Sequence, residues 1–173
     1  MPGSGKSTIV SALKTKGIEA LNLGDGVRAE AKRRNLELSG DNLGKLMLEL
    51  REKNGAGAIA ELLTEQIKNS QSKVIIIDGV RSTAEIEVLK NIGSVKLLSI
   101  EASSDTRYKF LSTRGRSDDP TTIEKFEERD NRELGVGIGE SIAAADETIS
   151  NNNITLDELT EQAYKVIEKW IDT

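Results

Sequence analysis

The tightest constraint on this fold lies at the start of the chain. Pro2-Gly3-Ser4-Gly5-Lys6-Ser7-Thr8 runs directly into the apolar pattern of a helix. Glycines let successive backbone N–H groups turn inward around phosphate oxygens. The helix that follows presents the positive end of its dipole to the same anion. Lys6 can reach outer phosphates, and the Ser7 hydroxyl can ligate Mg2+. A Gly-rich turn that merely opens a helix is the plainer alternative, but this run leading into an apolar helix is hard to reach by chance.

The full pattern of such a loop is Gly, four residues, then Gly-Lys-Ser/Thr. Its leading Gly would fall one position before Met1, and the strand that launches the loop would lie further upstream. Burying the five or six apolar residues of such a strand contributes on the order of 10 kcal/mol, comparable with the net stability of a domain. The expectation is therefore a natural chain that begins several residues earlier, with Met1 an internal methionine. A second expectation is a sheet with a vacant slot where that strand would lie.

Short apolar runs alternate with helical periods along the rest of the chain. Ile18–Leu23, Val74–Ile77, Val95–Ile100 and Glu147–Ile149 read as strands, the second apolar on both faces as in a buried parallel strand. Helices are expected at about 6–16, 25–35, 42–53, 58–69, 83–91, 105–113, 123–134 and 156–171. In the last, Leu156, Leu159, Ala163, Val166, Ile167 and Trp170 share one side at the 3.6-residue period. Thr155 and Glu158 have capping-box spacing. Gly135-Val136-Gly137-Ile138-Gly139 follows no strand and reads as a helix stop and restart. Strands alternating with helices define an α/β domain with a parallel sheet. The single domain spans 1–173, with a helical insertion at about 25–70. The polar stretch at about 114–122 reads as a short lid.

Composition removes several chemistries. The 173 residues contain no Cys and no His, which excludes disulfides, thiol catalysis, His-based zinc sites and Ser-His-Asp triads. Any acid, base or cation must be Asp, Glu, Lys, Arg or Tyr. The net charge of −5 speaks against a general nucleic-acid binder. No apolar run approaches the roughly 20 residues of a membrane span, and no signal peptide is visible. A cytoplasmic location is the expectation.

Three further stretches can carry chemistry. Leu23-Gly24-Asp25-Gly26-Val27-Arg28 follows the first strand, and residues past a strand's carboxyl end line the ligand crevice of a parallel sheet. Arg28 there can clamp a phosphate, or Asp25 can cap a helix and leave Arg28 solvated. In Val74–Arg81, Asp78 ends a buried strand beside the loop, placed to hold Mg2+ or its waters, and Arg81 points into the same crevice. Arg107, Arg114 and Arg116, with Arg129 and Arg132, form a set of cations that could stabilise the charge of phosphoryl transfer. Arg114 and Arg116 read as functional. Arg129 and Arg132 read equally well as surface partners of Glu127, Glu128 and Asp130.

In this order, Gly-Ser-Gly-Lys-Ser, Gly-Asp-x-x-Arg, Asp-Gly-x-Arg and the Arg-Gly-Arg lid resemble the nucleoside monophosphate kinases of the P-loop NTPase superfamily. The stretch Ala145–Asn151 is similar to dephospho-CoA kinases. The closest likeness is to an archaeal adenylate-kinase-related family, through the runs at 78–82, 116–119, 129–134 and 137–146. The resemblance implies a three-layer α/β/α fold, ATP and Mg2+ as cofactors, and a small-molecule acceptor. It implies no nucleic-acid or membrane partner, and a monomer or homodimer. Gly3, Ser4, Gly5, Lys6, Ser7 and Thr8 would hold the donor phosphates, with Ser7 and Asp78 at the metal. Lys6 would neutralise the transferring phosphate. Arg28 and Arg81 would grip the acceptor, and Arg114 and Arg116 would close over the donor. Asn151, Asn152 and Asn153 would lie near the adenine. Without Cys or His a zinc-type lid cannot form, and the Gln that reads adenine in an AMP acceptor is lacking after Arg81.

The leading expectation is an ATP-dependent phosphotransferase acting on a nucleoside monophosphate. One alternative is a dephospho-CoA-type kinase that phosphorylates a hydroxyl, with Asp25 as general base. Another is a nucleotide-binding switch with weak ATPase activity.

Overall fold

The computed structural model describes residues 1–117 and 119–172. Asp118, part of the expected lid, and Thr173 lie outside the described residues.

Strands and helices alternate as the sequence pattern predicts. Helix α1 (Lys6–Thr15) follows the phosphate-binding loop and leads to β1 (Glu19–Asn22). Four helices come next: α2 (Leu23–Arg33), α3 (Gly40–Asn54), α4 (Ala58–Glu61) and α5 (Thr64–Asn69). Strand β2 (Ile75–Asp78) then precedes α6 (Thr83–Lys90). Strand β3 (Leu98–Glu101) precedes α7 (Ser104–Arg114), α8 (Ile123–Gly135) and α9 (Ile138–Ala143). Strand β4 (Glu147–Ser150) and α10 (Leu156–Ile171) complete the fold.

The strands form two parallel pairs. In one, β1 lies beside β2 with Glu19 opposite Ile75 and Asn22 opposite Asp78. In the other, β3 lies beside β4 with Leu98 opposite Glu147 and Glu101 opposite Ser150. Among the described residues the pairs do not hydrogen-bond to each other, so the strands form two separate two-stranded sheets. Ile75, Ile76 and Ile77 are only partly buried, as strand residues next to an unfilled edge should be.

Each pair has its own core. Leu23, Val27, Ala31, Leu46, Met47, Leu50, Ile59 and Leu63 pack on the β1–β2 side, with Leu21 and Ile77 against them. On the other side Ile9 and Leu13 of α1 and Leu159 and Ala163 of α10 enclose Ile100 and Ile149. Ile76 also reaches this second cluster, so α1 lies against both strand pairs.

Local chemistry sets the helix ends. The Ser39, Ser82, Ser103 and Thr122 side chains each accept a hydrogen bond from a backbone N–H of the helix they open. Thr155 and Glu158 form the full capping box of α10. Gly137 lies between α8 and α9, where the helix stop and restart was expected.

Several boundaries differ from the sequence reading. The helix expected at 58–69 is two helices, α4 and α5, separated by Leu62 and Leu63. Helix α2 begins at Leu23 directly after β1, so Asp25 sits inside its first turn and is not its cap. Strand β3 begins at Leu98, not Val95, because its partner β4 starts at Glu147. Just before that ladder the Asp146 carboxylate accepts from Leu97 N–H at 2.8 Å, and Asp146 N–H donates to the Leu97 carbonyl at 2.8 Å.

Candidate active site

The phosphate-binding loop is held from behind. Ser4 is buried, and its carbonyl accepts from Asn151 Nδ2 at 3.0 Å. Gly5 caps α1 with φ of 100°, a left-handed conformation that disfavours side chains. A Cβ at Gly5 would also lie 2.6 Å from Asn151 Nδ2, so the loop closes directly on the end of β4. Lys6 folds back over this turn, donating to the Met1 carbonyl at 2.7 Å and to Ser4 Oγ at 3.2 Å. Burial lowers its pKa to about 8; Arg81 and Arg107 push the same way, and Asp78 and Glu133 oppose them.

Asp78 ends β2 with its carboxylate buried next to the loop. Its Oδ2 accepts from Asn22 Nδ2 at 2.8 Å and stands 3.4 Å from Ser7 Oγ. The sequence reading paired Ser7 with Asp78 but did not single out Asn22. The signal was present: Asn22 ends β1, the neighbouring strand, in register with Asp78.

These groups open into one cavity of about 580 Å3. Gly3, Ser4, Gly5, Lys6, Ser7 and Thr8 line one part of it. Arg28, Asp78, Arg81, Arg114 and Arg116 line it too, as does Asn151. The structure thus gathers the expected residues from five separate stretches of chain. Asn152 and Asn153, also expected near the adenine, do not line the cavity. Asn152 is exposed, and its side chain accepts from Ser103 N–H at 2.9 Å and donates to Ser150 Oγ at 3.1 Å. The turn that buries Asn151 under the loop rotates its neighbour outward.

Arg129 and Arg132 also line the cavity. Among the described residues the wall thus carries seven basic side chains against two acidic ones, Asp78 and Glu133, although the whole chain has a net charge of −5. The concentration of positive charge is local, and it suits a polyanionic ligand.

The cations differ in what answers them. Arg28 donates to Asp25 Oδ1 at 2.8 Å. Arg81 forms an ion pair with the buried Glu133 and donates to the Gly79 carbonyl at 3.0 Å. Burial works against the charge on Arg81, but Glu133 and Glu85 outweigh it and hold its pKa above the ordinary value. Arg114 pairs with Asp119, whose Oδ2 also accepts from Arg116 N–H at 2.9 Å and whose Oδ1 lies 3.7 Å from Arg129. Arg107 is a structural member of the set. It is buried, stacks over Phe126 at 4.9 Å, binds Asp130 through both carboxylate oxygens and donates to the Pro2 carbonyl.

Sequence reasoning missed Glu133. It lies seven residues after Phe126 on α8, and both are buried, so the helical period carried the signal. Near Arg116, Ser117 Oγ donates to the Leu38 carbonyl at 2.9 Å.

A phosphate-binding loop before a helix, an Asp at the end of a buried strand and parallel strands wrapped by helices define a P-loop kinase-like domain. The family model described as an AAA domain matches residues 1–127. Solved structures share the fold over nearly the whole chain. TT1252 from Thermus thermophilus superposes with a TM-score of 0.66 at 18% identity, over 97% of this chain and 92% of that one. Shikimate kinase from Bacteroides thetaiotaomicron superposes with a TM-score of 0.59 at 14% identity, over 96% and 93% of the two chains.

Sequence relatives are more similar. A UPF0200 protein of Hyperthermus butylicus is 38% identical over 169 residues, 98% of this chain and 90% of its own. Another from Methanothrix thermoacetophila is 42% identical over 173 residues, covering 98% and 93%. The chain belongs to the UPF0200 family, in line with the archaeal likeness carried by its late motifs.

Proposed function

We propose that this protein is an ATP-dependent phosphotransferase whose acceptor is a small phosphorylated molecule, a nucleoside monophosphate. One observation carries the reading. The phosphate-binding loop with Lys6 lines a single cavity together with Arg28, Arg81, Arg114 and Arg116. Two anionic ligands can meet there with their charge answered by fixed guanidinium groups.

In this reading loop amides and Lys6 hold the donor phosphates. Arg114 and Arg116 enclose the group in transit, and Arg28 and Arg81 orient the acceptor. Ser7 and Asp78 fit a magnesium ion: a hydroxyl and a carboxylate face each other, and Asn22 steadies the carboxylate. Ser7 and Asp78 would hold the ion, which would supply positive charge against the phosphates.

Phosphorylation of a hydroxyl would call for a general base. Asp25, the candidate for that role, is 73% exposed and engaged by Arg28. No helix among the described residues is long and apolar enough to cross a membrane, and the reading assigns the enzyme to the cytoplasm.

The test is phosphotransfer from ATP and Mg2+ to AMP, CMP, UMP, GMP or dephospho-CoA, with separated products. Formation of a nucleoside diphosphate that is lost in Lys6→Met is the expected result. Slow ATP hydrolysis that no acceptor accelerates would overturn the reading in favour of a nucleotide switch. Product from dephospho-CoA alone would overturn it in favour of the hydroxyl-directed kinase.

A further inference from the structure

Among the cavity cations Arg132 combines an unanswered guanidinium with a buried Nε. Among the described residues its guanidinium has no hydrogen-bond or ion-pair partner, and its Nε is buried without an acceptor. Leaving a buried donor unpaired costs free energy. The side chain lies against Gly44 of α3. A Cβ at Gly44 would come within 2.6 Å of Arg132 Nη1, 2.7 Å of Cζ and 3.0 Å of Nε.

Gly44 is itself out of place. It is buried within a fifteen-residue helix, where glycine is the least favourable residue apart from proline. The two oddities explain each other. Removing the side chain at position 44 lets the guanidinium approach the helix backbone, at the wall of the cavity that Gly40, Leu43 and Met47 also line. Arg81, by contrast, already has its charge matched inside the protein by Glu133.

We infer that Arg132, seated on Gly44, binds the phosphomonoester group of the acceptor. This assignment rests on the phosphorylated-acceptor reading above. The anion supplies the missing partner of the guanidinium, which can donate two parallel hydrogen bonds to phosphate oxygens. Arg81 and Glu133 then form the fixed wall beside it, and Gly44 is a positioning residue that acts through Arg132.

Calorimetric titration of the ligand-free protein with AMP, CMP, UMP and GMP, and with the uncharged nucleosides, tests this without turnover. At least one monophosphate is expected to bind. Arg132→Gln should weaken that binding roughly tenfold or more, with Arg132→Lys in between and nucleoside binding unmoved. Gly44→Ala should weaken it as well while leaving the melting temperature unchanged or raised, since alanine favours the helix. The double variant should bind no worse than Arg132→Gln, because both changes remove one interaction.

Unchanged monophosphate affinity in Arg132→Gln overturns the assignment. So does an equal loss of ATP affinity, additive effects of the two changes, or a wild-type protein that binds none of the four. Phosphotransfer that ignores Arg132 would remove this assignment and leave the kinase reading intact. Arg132-dependent binding without transfer would do the reverse.

Discussion

Lys6 shows how much one side chain depends on its surroundings. In the unfolded chain its amine would titrate at 10.5, and in the folded protein it does so at about 8. Between those values the unfolded chain holds more protons, so folding is favoured as pH rises through that window. The urea midpoint of the ligand-free protein should therefore gain from pH 8 to 10 by more in the wild type than in Lys6→Met. Phosphate binding should run the opposite way. ATP affinity should fall above about pH 8 as the ammonium is lost, and Lys6→Met should flatten that dependence, which calorimetry at pH 7.5 and 9 would read. The residue types at this site were legible because loop chemistry is local: Gly5, Lys6 and Ser7 are neighbours in sequence. Partnerships were not. That Arg81 is matched by Glu133 and that Arg132 is unmatched depends on how α8 crosses the cavity. No spacing rule within α8 carries that information.

At the level of the element, a buried ion pair joins two helices. Glu85 of α6 is fully buried and accepts from Arg51 of α3 at 2.5 Å and from Arg81 N–H at 2.7 Å. Its backbone N–H donates to Ser82 Oγ, the cap of α6. Removing one member of such a pair strands the other charge without water. Glu85→Ala is expected to cost roughly 3–5 kcal/mol in urea unfolding, far more than loss of the exposed Lys90–Glu87 pair, at about 0.5 kcal/mol or less. The existence of most helices was readable from apolar periodicity and caps. The break between α4 and α5 was not, because an apolar run of Ala and Ile satisfies a long helix as well as a short one sunk between neighbours. Sequence reading placed Glu85 on an ordinary helix, since nothing local marks a carboxylate as buried.

Over the whole molecule, the order of the chemical stretches was legible because parallel strands bring their carboxyl ends to one edge. The division into two strand pairs accords with the vacant slot expected in the sheet. What the pattern could not supply was the balance of charge: an acidic chain encloses a cavity whose charged lining is mostly Arg. The split makes its own prediction. Since β2 and β3 each pair on one side only, about every second amide along them lacks a ladder partner. Hydrogen exchange should find those amides in β2 and β3 far less protected than their ladder-bonded neighbours. Uniform protection along both strands would contradict the division.

The two strand pairs, each with its own oily filling and bridged by α1, meet where the proposed reading seats phosphate, which would make that seam a joint. A ligand that touches the loop and the α3 side together would act as a rivet across that joint. Occupancy and rigidity would then rise as one quantity, and the molecule would be stiffest only while it is loaded.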